Sequence, residues 1–213
     1  MKINDKKIKI RPFNFSRKYD FIPNYNITGQ DLEVIYETKL LGIQIQSNCK
    51  WSNNTNYIIK KAKSKLWYLR RLKQLGASNN TLLDLFKLHI RSTLEMAVPL
   101  WDGAITQNEI NNIERVQKIS VKFMLGNQYR DYDQALNVLD LENFETRRKN
   151  ICLKFAKKCI KNDKFKNWFP KRPSMNTRSK EIYVNPSGTH TKRYLTSSIP
   201  HLINILNENE MKK

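Results

Sequence analysis

The sequence predicts an α+β protein, mainly α, with a small antiparallel β-sheet at the N-terminus, a helical bundle after it and an extended basic C-terminal segment. Three observations predict it. Residues 1 to about 47 hold short runs that alternate polar and apolar groups; long stretches at the 3.6-residue period follow from residue 52; and residues 170–198 have no period and are rich in Pro, Ser, Thr, Asn and basic groups. The segments so divided are 1–51, 52–125, 126–169 and 170–213. A chain of 213 residues is long enough to bury a real core.

Taken in order, residues 6–15 alternate charge with apolar groups as a strand with one wet face does, and Pro12 places that strand at a sheet edge. Residues 26–35 read as a short hairpin, with Gly29 free to take positive φ in its turn. Residues 39–45 read as a half-buried strand, and Ser47-Asn48 supplies the reversal after it. A sheet this small seldom stands alone.

A long helix follows, capped by Ser52 or Asn53 and stopped by Gly76. Ile58, Ile59, Ala62, Leu66, Leu69 and Leu72 make its apolar stripe. On the opposite side lie Lys60, Lys63, Trp67, Arg70, Arg71 and Gln74, and no acidic residue occurs between Asn53 and Leu83. Trp67 either packs on a neighbouring helix or stands out among these cations. The next helix starts at Asn79 or Asn80, is apolar nearly all round through Val98, and is ended or kinked by Pro99; His89 is expected in the core. Thr106-Gln107-Asn108-Glu109 is a capping-box signature for a third helix that closes at Gly126. The carboxylates of Asp131 and Asp133 suit a helix start better than a metal site. From Asn143 a fourth helix buries Phe144, Ile151, Cys152, Phe155, Ala156, Cys159 and Ile160, with Arg147, Arg148, Lys149, Lys154, Lys157, Lys158 and Lys161 on its other sides. Residues 170–198 read as an extended segment, lying on the helices or loose. Ser198-Ile199-Pro200 then opens a last short helix.

The formal net charge is +20, from 39 Lys plus Arg against 19 Asp plus Glu, far beyond what solubility needs. Nucleic acid or an anionic membrane surface is the implied partner. No stretch approaches the roughly 20 apolar residues needed to span a bilayer. Between Lys154 and Tyr194 twelve Lys or Arg face two acids, a balance of half the chain's charge. Cys49, Cys152 and Cys159 read as reduced core residues. His89, His190 and His201 are scattered with no second ligand at zinc spacing, so no metal site, cofactor or catalytic residue is expected.

Lys2-Ile3-Asn4 with Lys7-Ile8-Lys9, then residues 39–45, and Lys50-Trp51 ahead of a Lys-rich helix form an ordered set. Residues 94–101 (Leu-Glu-Met-Ala-Val-Pro-Leu-Trp), 113–118 (Ile-Glu-Arg-Val-Gln-Lys), Arg147-Arg148 with residues 153–158, Thr177-Arg178-Ser179, and Lys192-Arg193-Tyr194 continue it. In this order and spacing the chain resembles, over essentially its whole length, the C-terminal part of non-LTR (LINE-type) retrotransposon reverse transcriptases. The resemblance implies that 1–51 is the end of a palm, with Leu41, Gly42 and Ile43 in or near a primer-grip strand. It likewise implies a helical thumb over 52–125, basic helices over 126–169 and a basic tail over 170–213. The catalytic aspartates of such enzymes lie upstream of the point where this chain begins, and two-metal phosphoryl transfer needs carboxylates around ions roughly 4 Å apart. The expectation is a C-terminal piece read from an internal methionine, cytoplasmic or nuclear, inactive as a polymerase by itself.

The contacts expected with RNA or DNA are Lys60, Lys63, Trp67, Arg70 and Arg71, with Lys157, Lys158, Lys192 and Arg193 as a second set. The rival expectation is a basic helical module that binds an acidic protein partner through Trp67, Phe86 and Trp101.

Overall fold

The computed structural model describes residues 8–13, 25–27, 29–172, 182–186 and 191–211. The chain is mainly helical and divides into two units, Met1–Tyr57 and Ile58–Lys213.

Among the described residues, the first unit holds three two-stranded ladders. β2 (Asn26–Ile27) pairs antiparallel with β3 (Gln30–Asp31), and Gly29 takes φ 82° in the turn between them, as expected. β1 (Lys9–Ile10) pairs with β4 (Glu33–Val34), and this pair is parallel. A parallel pair needs a long crossover, which the residues between β1 and β4 provide. Residues 6, 7, 14 and 15 of the expected edge strand lie outside the described residues.

Residues 39–45, expected as one strand, form a hairpin. β5 (Glu37–Leu40) and β6 (Ile43–Gln46) pair antiparallel with Leu40 opposite Ile43, so Leu41 and Gly42 are the whole turn. Both have positive φ, 49° and 89°. Two successive positive φ values give a turn whose twist matches that of the strands it joins. Of the three residues expected in or near a primer-grip strand, Ile43 lies in β6 and Leu41 and Gly42 in the turn beside it, with Leu41 87% exposed.

Helix α1 (Ser52–Gln74) begins in the first unit and continues into the second. Ser52 and Asn53 are already helical, and the polar groups at this end come from the hairpin. Gln46 Oε1 lies 3.5 Å from the Asn53 amide, and Glu37 accepts from Asn53 Nδ2 at 2.6 Å. Asn54, nearly fully buried, accepts the Gln44 amide at 3.2 Å.

In the second unit, α1 buries Ile58, Ile59, Ala62, Leu66 and Leu69 of the stripe that the period predicts, and Leu72 at its end is half-buried. The helix expected over 79–98 is interrupted. α2 (Asn79–Leu85) widens into a π-helical stretch over Phe86–Arg91, narrows again in α3 (Ser92–Leu94), and stops where Ala97 takes φ 53°. Widening rotates the face that follows it. Leu88 and His89 therefore point outward, and His89 is exposed, contrary to the core placement expected of it. Pro99 does not end this helix but sits in the first turn of α4 (Val98–Trp101), where a missing N–H costs nothing.

Helix α5 (Gln107–Leu125) has both halves of the capping box from Thr106 and Glu109, and Gly126 closes it. α6 (Tyr132–Val138) is capped by Asp131 and α7 (Phe144–Ile160) by Asn143. α7 packs on α4, on α5 and on α9 (Ser198–Met211). Cys152 and Cys159 are buried and free, whereas Cys49 is exposed and so not a core residue. Within the C-terminal segment expected to be extended, Lys192–Leu195 forms a short helix, α8, capped by Thr191. Residues 182–186 are held by Asn207, which accepts the amides of Ile182 and Tyr183 and donates to the Tyr183 carbonyl. Among the described residues no helix is long and apolar enough to cross a membrane.

Leu41 occupies left-handed space while burying almost nothing, so Leu41→Asn is expected to relieve about 1 kcal/mol of backbone strain. The measurement is hydrogen exchange of the β5 and β6 amides, with protection rising roughly fivefold; unchanged or lower protection would show that Leu41 contributes contacts of its own.

Candidate nucleic-acid interface

The stripe that anchors α1 determines what its other side presents. With Ile58, Ala62, Leu66 and Leu69 inward, residues three and four positions away point outward. Lys60, Lys63, Trp67, Arg70 and Arg71 are accordingly all exposed along one side. Among the described residues no carboxylate pairs with Lys60, Lys63, Arg70 or Arg71. Trp67 is 62% exposed, which decides between its two readings in favour of standing out among the cations. Its ring meets Tyr68 edge to face, with centroids 5.0 Å apart. Trp67, Arg70, Arg71 and Gln74 line a cavity of about 380 Å³.

Lys65 lies outside this row and works differently. Its Nζ donates to the His89 carbonyl at 2.9 Å and to Thr93 Oγ1 at 2.7 Å, fastening α1 to the π-helical stretch. Burial, and then the nearby Lys61 charge, lower its pKa. Tyr68 was not anticipated. It falls between the apolar stripe and the basic row, and only its adjacency to Trp67 hinted that two aromatics would stand out together.

The second set lies on other elements. Lys157 and Lys158 are exposed on α7, and Lys192 and Arg193 are exposed on α8. Among the described residues no hydrogen bond or ion pair joins Lys157 or Lys158 to α1. Of the three side chains expected to meet an acidic protein, Phe86 and Trp101 are fully buried. Trp101 donates its indole N–H to the Met96 carbonyl at 2.9 Å and is a core residue.

Away from this surface the fold assembles a cluster that residue spacing could not reveal. Asp102, Cys152 and His201 place their potential ligand atoms within 4.8 Å of one another. The chemistry there is that of an ion-pair network, because Arg148 Nε donates to Asp102 Oδ1 at 2.6 Å and His201 Nε2 lies 3.1 Å from Asp102 Oδ2. Arg148 is 2% exposed, although α7's pattern placed it among the outward basic residues. Burial, then the Asp102 charge, push the Cys152 thiol up to about 12, so it holds its proton at neutral pH. The Arg148 guanidinium already occupies one oxygen of Asp102, which leaves a second cation there opposed by its charge.

Burial alone would raise the Asp102 pKa, but the His201 hydrogen bond and the Arg148 guanidinium outweigh it and hold the carboxyl below its usual range. The depressed folded value means that this contribution is complete above the unfolded carboxylate range near pH 4, and is lost as pH falls through the lower folded value. Asp102→Asn strands the buried Arg148 charge and is expected to cost about 3–5 kcal/mol at neutral pH. Urea denaturation across pH 2–7 checks both points: the variant should lose midpoint at pH 7 and lack part of the acid-side fall. Matching profiles would show that the pair contributes nothing net.

The chain gives no significant match to any protein-family model, curated protein or solved structure.

Proposed function

We propose that this chain is a nucleic-acid-binding, thumb-like part of a non-LTR retrotransposon RNA-directed DNA polymerase, and that it grips RNA or DNA by its phosphate backbone. The observation that carries the reading is the row Lys60, Lys63, Arg70 and Arg71, four exposed cations with no described carboxylate paired to them, on a helix anchored by its opposite face. Binding a polyanion to such a row releases condensed counterions, a driving force that a chain of formal charge +20 is well placed to use. The lysines act as point charges on phosphate, and the arginines can fork onto two oxygens. The order and spacing of the reverse-transcriptase-like motifs support the family assignment.

The proposal assigns no phosphoryl-transfer chemistry to these residues. The carboxylate most suggestive of it, Asp131, is used as a helix cap and accepts the Gln134 amide at 2.8 Å. Primer extension with magnesium and a template-primer is therefore expected to yield no product from this chain alone, and any extended product would overturn that part of the reading.

Replacing Lys60, Lys63 and Arg71 by Ala is expected to weaken binding about equally for all sequences. The slope of log affinity against log salt, measured between roughly 50 and 200 mM, should flatten by about 2–3. Fluorescence anisotropy of labelled oligonucleotides reads both quantities. A loss confined to some sequences, affinity independent of salt, or retention of an acidic protein but of no nucleic acid would refute the proposal.

A further inference from the structure

We propose that the ridge formed by Trp67 and Tyr68 is a stacking site for unpaired nucleotides, so that the chain senses bases as well as backbone. The inference rests on the phosphate-binding reading above and goes further, because a row of cations alone treats every backbone of equal charge alike.

Two adjacent aromatics are left more than half exposed, Trp67 at 62% and Tyr68 at 52%, on a helix that buries Ile58, Ile59, Ala62, Leu66 and Leu69. Their edge-to-face contact, at an interplanar angle of 72°, braces each ring against the other. A cavity opens on each side of the ridge. On the Trp67 side, about 380 Å³ is lined by Trp67, Arg70, Arg71 and Gln74. On the Tyr68 side, about 310 Å³ is lined by Lys65, Tyr68, Leu85 and His89 and is mostly apolar.

These linings supply what an unpaired nucleotide needs. The indole offers a π-face, the free guanidinium groups of Arg70 and Arg71 offer phosphate contacts, and the Gln74 amide offers both a donor and an acceptor to a base edge. Arg70 and Arg71 are three and four residues from Trp67, about 5–6 Å along the helix, so base and phosphate contacts fit side by side. In a duplex both faces of each base are already stacked and its edge is paired, and the ridge has nothing to receive. A base from a single strand, an overhang or a frayed end leaves its face open.

The test holds backbone charge constant and removes the bases. The full chain is titrated, at about 150 mM salt, against oligothymidylate of about twelve nucleotides and against an abasic phosphodiester of the same length, with anisotropy as the readout. The expected result is roughly 5- to 150-fold tighter binding of oligothymidylate, the range that aromatic stacking on one base provides. Trp67→Ala should shrink the difference to within about twofold by weakening oligothymidylate binding far more than abasic binding, and Trp67→Phe should retain most of it. The pair Lys60→Ala and Lys63→Ala should weaken both probes equally. Equal affinity for the two probes, or a Trp67→Ala loss of the same size on both, overturns the stacking site and leaves the phosphate reading standing. Retention of neither probe overturns both.

Discussion

The bundle depends on one buried contact, the ion pair of Arg148 with Asp102. It joins α7 to the turn after α4, and through His201 it reaches α9, so three segments far apart in sequence meet at one carboxylate. Such a pair costs desolvation on both sides, and it holds only because each partner would be worse off alone. Space around it is equally constrained. A Cβ on Gly103 would come within 2.5 Å of the His201 side chain and 2.9 Å of the Thr196 carbonyl, so the close approach of α9 requires the glycine. The apolar core alone would accept several ways of laying α9 on α7; a carboxylate that must meet a guanidinium and an imidazole at once restricts them.

The same economy of acids shapes the outside. Glu95 pairs with Arg147 and lies near Arg91, Asp102 is inward, and Glu114 accepts the Phe144 amide and the Tyr132 hydroxyl. Burial, and then Glu114, raise the Tyr132 pKa, which keeps that hydroxyl a donor across the physiological range. Acids spent on internal contacts neutralise nothing at the surface. The exposed side of α1, whose own sequence holds no acid between Asn53 and Leu83, is left positive, and its field adds to that of the basic residues on α7 and α8.

Much of this was legible in the sequence because it is local. The stripe Ile58 to Leu69, the Thr106 capping box and the Asn143 cap each lie within a few residues of what they determine, and the period alone orients them. The misplacements have separate causes. Leu41-Gly42 forms a tight turn that an apolar run disguised as strand. The π-helical stretch turned His89 outward by adding residues to a turn, which no period of fixed length anticipates. Arg148 and Asp102 are 46 residues apart, and His201 and Asp102 are 99 apart, so neither pairing leaves a mark in residue spacing.

Residues 147–149 make the limit concrete. Three successive cations on one helix read as a single basic run, yet each has a different fate. Arg147 is half-buried against Glu95, Arg148 is fully buried against Asp102, and Lys149 reaches Glu145 across one turn in solvent. Charge is the same in all three; what differs is the carboxylate that reaches each position, Glu95 from the turn before α4, Asp102 from the turn after it and Glu145 from α7 itself. A basic residue thus becomes a candidate nucleic-acid contact only when the fold withholds an acid from it, and Lys60, Lys63, Arg70 and Arg71 meet that condition together on one helix. Their number on the helix is written in the sequence, whereas the absence, among the described residues, of a carboxylate paired with any of them is a property of the fold.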